Sequence, residues 1–169
     1  LIKKYAEKLS ISFERVEYAK NNFIRVVKVM KAFILNDSVK SFLCLNNKLP
    51  QENKGLFDIK LLEEFADAII KLYGIKGLKG KDLLYSINSE DYDAKRAEFI
   101  QRLSKGEKLF VISSYNTVGA GQNLQYKAPG NATIVAVNDY DRGDMEKDFD
   151  CIYLEKPTNL LVNVDSKKG

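Results

Sequence analysis

Short apolar runs that alternate with amphipathic helical segments are the feature that most constrains the fold of this chain. The runs at residues 39–45, 83–87 and 109–113 have the length and composition of buried strands. A segment with helical periodicity lies between each consecutive pair. This alternation predicts an α/β fold, with a mostly parallel sheet flanked by helices.

Three segments are predicted to be helical. The first covers the first 35 residues, with Ser12 as a candidate N-cap. The second begins after Asp58, and the third begins after Asp91 or Asp93 and ends at Gly106. Apolar spacing predicts which side chains face inward. These are Phe13, Val16, Ala19, Phe23, Val26, Val27, Met30 and Ile34 in the first helix, Leu61, Leu62, Phe65, Ile69 and Leu72 in the second, and Ala97, Ile100 and Leu103 in the third.

Polar residues follow the predicted strands and indicate one functional edge. Two further strands are expected at residues 133–137 and 151–154, separated by an acidic loop at residues 138–150. In sheets of this kind, ligands bind in loops outside the carboxyl ends of the strands. The candidate residues at the first two strand ends are Asn46, Asn47, Asn88 and Ser89.

The loop after the third strand is the most informative segment. It presents the hydroxyls of Ser113, Ser114 and Thr117, followed by Gly119 and Gly121. Hydroxyls and glycine-exposed backbone N–H groups at a strand end suit phosphate oxygens. Two interpretations are a dinucleotide fingerprint, whose third glycine is replaced by leucine in this chain, and an ordinary glycine-rich turn with incidental polar residues.

A third interpretation is a family resemblance. Residues 113–124, Ser-Ser-Tyr-Asn-Thr-Val-Gly-Ala-Gly-Gln-Asn-Leu, resemble motif V of superfamily 2 helicases, most closely the Swi/Snf-type version. The order of the surrounding segments agrees. Residues 42–47 resemble motif IV, residues 93–103 resemble the helix before motif V, and residues 150–157 resemble the strand before motif VI. The residues that match motif V in register are Ser114, Gly119, Gly121, Asn123 and Leu124, whereas Tyr115 and Val118 depart from it.

The resemblance implies a RecA-like domain, the second of the two that clamp ATP in such enzymes. It places a helical segment at residues 1–37 and the RecA-like domain, a fragment of a longer protein, at residues 38–169. The resemblance implies two partners. One is nucleic acid, with DNA favoured, and the other is the first RecA-like domain of the same polypeptide. The implied nucleic-acid contacts are Ser113, Ser114, Thr117 and Gly119, with Asn46, Asn47, Asn88 and Ser89 as further backbone contacts, and the implied nucleotide contacts are Gly121, Gln122 and Asn123.

Several elements of phosphoryl transfer are missing from the sequence. It contains neither a G-x-x-x-x-G-K-[ST] loop, nor an acidic metal motif, nor the helicase arginine-finger motif. ATP and Mg²⁺ are therefore expected only when the first RecA-like domain is present, and the isolated chain is expected to have no catalytic residue and no ATPase activity. The alternative function is a non-catalytic nucleic-acid-binding or protein-interaction module with the same fold.

Composition excludes some classes of site. The chain has no histidine, which rules out His-based triads, and only two cysteines, which argues against a structural zinc site. Its net charge of +4 permits nucleic-acid binding without requiring it. No apolar run is long enough for a membrane span, and we expect a cytoplasmic, bacterial protein with no membrane partner. Both cysteines are expected to be buried and reduced.

Overall fold

A four-stranded sheet of parallel strands forms the centre of the computed structural model, which describes residues 13–52, 57–118, 124–130 and 146–156, with side chains from residue 16 onward. The elements of the described residues are helix α1 (Phe13–Leu35), strand β1 (Ser41–Asn46), helix α2 (Ile59–Leu72), helix α3 (Gly80–Leu83), strand β2 (Leu84–Ser86), helix α4 (Tyr92–Ser104), and strands β3 (Leu109–Ser114), β4 (Tyr126–Lys127), β5 (Glu146–Lys147) and β6 (Cys151–Leu154). The order in the sheet is β2-β3-β1-β6.

Strand register separates the side chains of the sheet into two faces. β1 pairs in parallel with β3 on one side and with β6 on the other. Because successive strand residues point to opposite faces, Phe42 and Cys44 pack in the core formed with α1 and α2. Leu43 packs on the opposite face with residues of α4. Helices therefore flank both faces of the sheet, which confirms the predicted α/β class.

The predicted strands agree with the observed ones within two residues at each end. The strand predicted at residues 151–154 matches β6. The predicted strand at 133–137 and the proposed cap Ser12 lie outside the described residues. Two features were not predicted from the sequence. Helix α3 directly precedes β2, and the short antiparallel pair of β4 with β5 places residues 146–147 of the predicted loop in a strand.

The inward face of α1 largely follows its predicted periodicity. Val26, Met30 and Ile34 are fully buried, and Phe33, which was not predicted, is buried beside them. Ala19, Phe23 and Val27 are half-buried. The helix shares one core with the sheet and α2, because its apolar residues and those of β1 and β3 belong to the same cluster.

The predicted inward face of α2 was wrong at three positions. Asp58 caps the helix as expected, since its side chain accepts a hydrogen bond from the Lys60 amide at 2.8 Å. Leu62 and Ile69 are buried as predicted. The side chains that are exposed instead are Leu61 (42%), Phe65 (43%) and Leu72 (77%), and those buried in their place are Ala66 and Ile70.

Close packing of α2 on α3 accounts for this rotation of the helix. A Cβ at Gly80 would lie 2.3 Å from the Glu63 carbonyl oxygen, so only glycine permits this approach. The Gly80 amide also donates to Asp67 at 2.7 Å. Gly80 is therefore a packing position that holds α3 against α2. Periodicity defines a stripe on a helix, but the neighbouring elements decide which part of it is covered.

Helix α4 shows the same kind of difference. Leu103 is buried as predicted, but Ala97 is exposed and Ile100 is only half-buried. Tyr92 and Phe99 are buried instead, and Phe99 contacts the Phe149 ring at 6.0 Å. The larger rings reach the sheet, and the helix turns to bury them. The helix ends at Ser104, and Gly106 follows its C-cap with a φ of 82°, the left-handed conformation that favours glycine.

Asp150 joins the beginnings of β1 and β6. Its carboxylate accepts hydrogen bonds from the amides of Lys40 (2.8 Å) and Ser41 (2.9 Å) and pairs with Lys147. Burial raises the pKa of Asp150, but the bonds from Lys147 and the two amides outweigh it, so the pKa is lowered overall.

Replacing Asp150 with asparagine is expected to reduce stability in a pH-dependent way. A lowered folded-state pKa stabilises the protein above the unfolded value of about 3.9, and this contribution is lost as pH falls through the folded-state pKa. We therefore expect Asp150→Asn to lower the free energy of unfolding at pH 7 by about 1–3 kcal/mol, and the difference to shrink towards pH 3. Urea denaturation at several pH values measures this. Glu64→Gln, an exposed carboxylate on α2, is the control, and a pH-independent Asp150 difference would contradict the assignment.

Candidate nucleic-acid interface

The strands predicted at residues 39–45, 83–87, 109–113 and 151–154 end at one edge of the sheet, as expected. Because the strands are parallel, β1, β2, β3 and β6 end on the same side of the sheet, which we call the carboxyl edge. Asn46 at the end of β1 lies directly opposite Ser114 at the end of β3. The Tyr115 amide donates to the Asn46 carbonyl at 3.2 Å, which joins the start of the β3 loop to the end of β1.

The three predicted hydroxyl residues at the carboxyl end of β3 have different environments. Ser113 is fully buried, and its hydroxyl donates to the Ile87 carbonyl at 3.2 Å. Ser114 is 8% exposed, and its Oγ lies 2.9 Å from the Thr117 Oγ1 and accepts from the Thr117 amide at 3.2 Å. Thr117 is half-buried. Of the three, Thr117 has the most accessible side chain.

The hydrogen bonds of this turn leave one donor for a ligand. Ser114 Oγ accepts from the Thr117 amide, so its own hydrogen can be donated to Thr117 Oγ1. In that arrangement no hydrogen bond within the described residues uses the Thr117 hydroxyl hydrogen. A hydroxyl held by a hydrogen bond at a strand end suits a phosphate or other anionic oxygen.

The end of β1 contributes Asn46 and Asn47. Asn46 is fully buried, and its amide nitrogen donates to Cys44 Sγ at 3.2 Å. Its Oδ1 is buried and accepts no hydrogen bond from the described part of the chain. Asn47 is more accessible, and its amide nitrogen donates to the Tyr18 hydroxyl at 3.1 Å and to the Lys156 carbonyl at 2.8 Å.

Asn88 and Ser89 form the turn between β2 and α4. Asn88 Oδ1 accepts from the amides of Glu90 (2.8 Å) and Asp91 (3.0 Å), and the Asn88 amide donates to Asp91 at 3.3 Å. Asn88 thus organises the helix start through side-chain-to-backbone bonds. Ser89 is exposed in this turn.

A buried ion pair on the carboxyl edge was not found from the sequence. Glu155 directly follows β6 and is 4% exposed. It accepts from Arg25 Nε at 3.0 Å and Arg25 Nη2 at 2.6 Å, and from the Tyr153 hydroxyl at 2.7 Å. The available signal was an arginine within the apolar stripe of α1 and a single glutamate after an apolar strand. The pair fastens α1 to the end of β6.

Burial and this carboxylate change the acidity of neighbouring groups. Burial raises the pKa of Cys44 to about 12, and the Asn46 hydrogen bond opposes this only in part. Burial and the bond to Glu155 raise the pKa of Tyr153 to about 12. Burial also raises the pKa of Tyr115, whose hydroxyl donates to the Glu155 carbonyl at 2.6 Å. These groups remain protonated at neutral pH, and a buried, protonated thiol such as Cys44 is a poor nucleophile.

Several predicted residues remain outside the described part of the chain. Gly119, Gly121, Gln122 and Asn123 fall between the described residues 118 and 124, so their contacts remain predictions.

Both cysteines are free thiols. Cys44 is buried as predicted, whereas Cys151 is only half-buried.

The described residues contain neither a cluster of metal-ligating side chains nor a helix suited to a membrane span. No group of three or more His, Cys, Asp or Glu side chains there is placed to hold a metal ion. None of the helices in those segments combines the length and apolar character that a membrane span requires.

The fold and the carboxyl edge define the class of this protein. It is an α/β protein with an all-parallel four-stranded sheet flanked by helices, an arrangement compatible with RecA-like and Rossmann-like folds. No protein family model matches the sequence, and no curated protein matches it.

Proposed function

We propose that this chain is the second RecA-like half of an ATP-dependent nucleic-acid helicase or translocase, in which the loop after β3 contacts the nucleic-acid backbone. One observation carries the proposal. The segment that resembles motif V leaves the carboxyl end of an interior parallel strand, beside the β1 end that resembles motif IV. Ligands of parallel α/β sheets bind at this edge.

Thr117 is the residue of this loop that is best placed for phosphate contact. Thr117 is half-buried and its hydroxyl contacts Ser114, whereas Ser113 is fully buried and its hydroxyl donates to Ile87. Asn47 and Ser89 extend the same edge on either side. Such contacts position a strand and carry no sequence information.

ATP coupling is assigned to the glycine-containing half of the loop. In this proposal Gly121, Gln122 and Asn123 face a nucleotide held mainly by the first RecA-like domain, because this sequence contains no phosphate-binding loop. ATP and Mg²⁺ belong to that composite site. The isolated chain then has no ATPase activity.

The test is nucleic-acid-stimulated ATP hydrolysis by the protein that joins this chain to a first RecA-like domain. We expect Asn123→Ala to lower the stimulated kcat about tenfold or more while leaving nucleic-acid affinity within about twofold. Thr117→Val, which removes the hydroxyl but keeps the shape, is expected to weaken binding of a single-stranded oligonucleotide about 5- to 10-fold. Thr117→Ser keeps the hydroxyl and is the matched control.

The outcomes separate the parts of the proposal. Normal hydrolysis by Asn123→Ala would show that the loop is not in the nucleotide cleft. Equal oligonucleotide affinity for Thr117→Val and Thr117→Ser would remove Thr117 from the interface. Comparing DNA with RNA oligonucleotides in the same assay identifies the nucleic acid.

A non-catalytic binding or interaction module is the second candidate function. It is favoured by the internal partners of the edge residues, since Asn47 is bonded to Tyr18 and Lys156 and Glu155 is bonded to Arg25. Oligonucleotide binding without any stimulated hydrolysis in the longer protein would support this candidate over the motor.

A further inference from the structure

A second concave surface lies at the opposite edge of the sheet, where the strands begin. It is a groove of about 570 Å³, which we call the amino-edge groove. Its volume falls within the range of about 300–1,000 Å³ that is typical of ligand pockets. Apolar residues from the end of α1 and from the segment after α2 line its inner part, namely Ile34, Leu35, Ile75 and Leu78.

Backbone geometry holds the groove open. Gly74 and Gly77 have φ values of 66° and 80°, which lets the chain turn sharply after α2. The Ile75 amide donates to the Ile70 carbonyl at 3.0 Å and ties this turn to the helix. Ile75 and Leu78 pack against the core while still lining the groove. The concavity is therefore part of the folded structure.

The charged lining of the groove is mainly positive. Lys40, Lys76 and Lys108 line it together with Asp37, so three positive charges face one negative charge. Lys108 is held in place, because its ammonium group donates to the Asn36 carbonyl at 2.6 Å and lies 4.7 Å from the Phe33 ring centroid. Within the described segments, neither Lys40 nor Lys76 has an acidic side chain within ion-pair distance.

Exposed apolar side chains extend the groove onto the surface. Leu35 and Tyr73 line it with 41% and 46% of their surface exposed, and the adjacent Leu72 is 77% exposed. Lys31 lies 5.0 Å from the Tyr73 ring centroid and adds another cation at this rim. Exposed apolar side chains beside a groove that charged groups border are typical of a protein-binding site.

We propose that the amino-edge groove binds a short segment of a partner protein that carries two or three large apolar side chains flanked by aspartate or glutamate. The apolar lining contacts the side chains, and Lys40 and Lys76, which form no ion pair within the described residues, donate to the carboxylates. The lysines alone would also suit a nucleic acid, but the apolar side chains beside them, Leu35, Ile75 and Leu78, favour a peptide with large apolar side chains. The proposal concerns the edge opposite Thr117 and does not depend on the helicase assignment.

The test is selection of peptides from a random 12-residue phage library on the 169-residue chain, followed by fluorescence anisotropy with a labelled selected peptide. We expect selected sequences to be enriched in both acidic and large apolar residues. The charge-reversed variant Lys40→Glu/Lys76→Glu is expected to weaken binding about tenfold or more. Lys20→Glu/Lys127→Glu, which makes the same charge change at exposed sites that do not line the groove, should leave binding within about twofold.

A second variant separates apolar contact from charge. Leu35→Asp, at a partly exposed site, should also weaken the peptide about tenfold, while circular dichroism shows that each variant remains folded. The proposal is overturned if no peptide family is enriched, if enriched peptides lack acidic residues, or if Lys40→Glu/Lys76→Glu binds as tightly as the unmodified chain. It is also overturned if a single-stranded oligonucleotide displaces the peptide and loses affinity in the same double variant.

Discussion

Replacing Phe110 with alanine is expected to lower the free energy of unfolding by about 3–5 kcal/mol. Phe110 is fully buried at the centre of β3 and stacks on Phe42 with ring centroids 4.9 Å apart. Phe33 of α1 contacts both rings at 5.6 Å. Truncation removes a large apolar side chain and leaves a cavity that the parallel sheet cannot close, because β3 is held on both sides by β1 and β2.

Urea denaturation followed by circular dichroism measures the Phe110 effect. Leu72→Ala is the control, since Leu72 is 77% exposed, and its expected effect is within about 0.5 kcal/mol. A Phe110→Ala loss below about 1 kcal/mol would mean that the three rings do not form the core that joins α1 to the sheet.

Replacing Arg25 with methionine is expected to cost about 2–4 kcal/mol. Removing one partner of a buried pair typically costs about 3–5 kcal/mol, and we discount this because the Arg25 side chain is 40% exposed. The loss arises on the Glu155 side, where a carboxylate that is 5% exposed keeps, among the described residues, the Tyr153 hydroxyl as its one side-chain donor. Methionine retains the apolar contacts of the arginine stem.

A double-mutant cycle isolates the pair. Glu155→Gln neutralises the buried charge, so the double variant Arg25→Met/Glu155→Gln should lose less stability than the sum of the two single variants, by about 1–3 kcal/mol. Arg102→Met is the control, because its partner Glu107 is 43% exposed, and we expect a loss of at most about 1 kcal/mol. Additive single variants would show that the two side chains are not coupled in solution.

The class of fold could be predicted from the sequence, and the packing of the helices could not. Strands β1, β2 and β3 are short apolar runs, and their parallel pairing follows from the helices between them. The predicted buried face of α2 differs from the observed one. The observed face depends on contact with α3 through Gly80, and the periodicity within α2 carries no information about that contact.

The candidate site was predictable as an edge but not as a set of contacts. The end of β3 and the end of β1 lie together as parallel strands require, and Asn46 faces Ser114. The sequence does not distinguish buried Ser113 from half-buried Thr117, since both are hydroxyl residues near the end of one apolar run. The difference lies in the hydrogen bond that the Ser113 hydroxyl donates to the Ile87 carbonyl, 26 positions away in sequence.

The sequence by itself determined the order of strands and helices, the parallel sheet and the edge at which polar residues gather, because these follow from local periodicity and chain connectivity. The tertiary structure decided the Arg25–Glu155 pair, whose members lie 130 positions apart, and the amino-edge groove, which three separate segments line. Both depend on how distant segments pack, and the free energy of such contacts is set by burial in the folded chain rather than by the residues nearby in sequence.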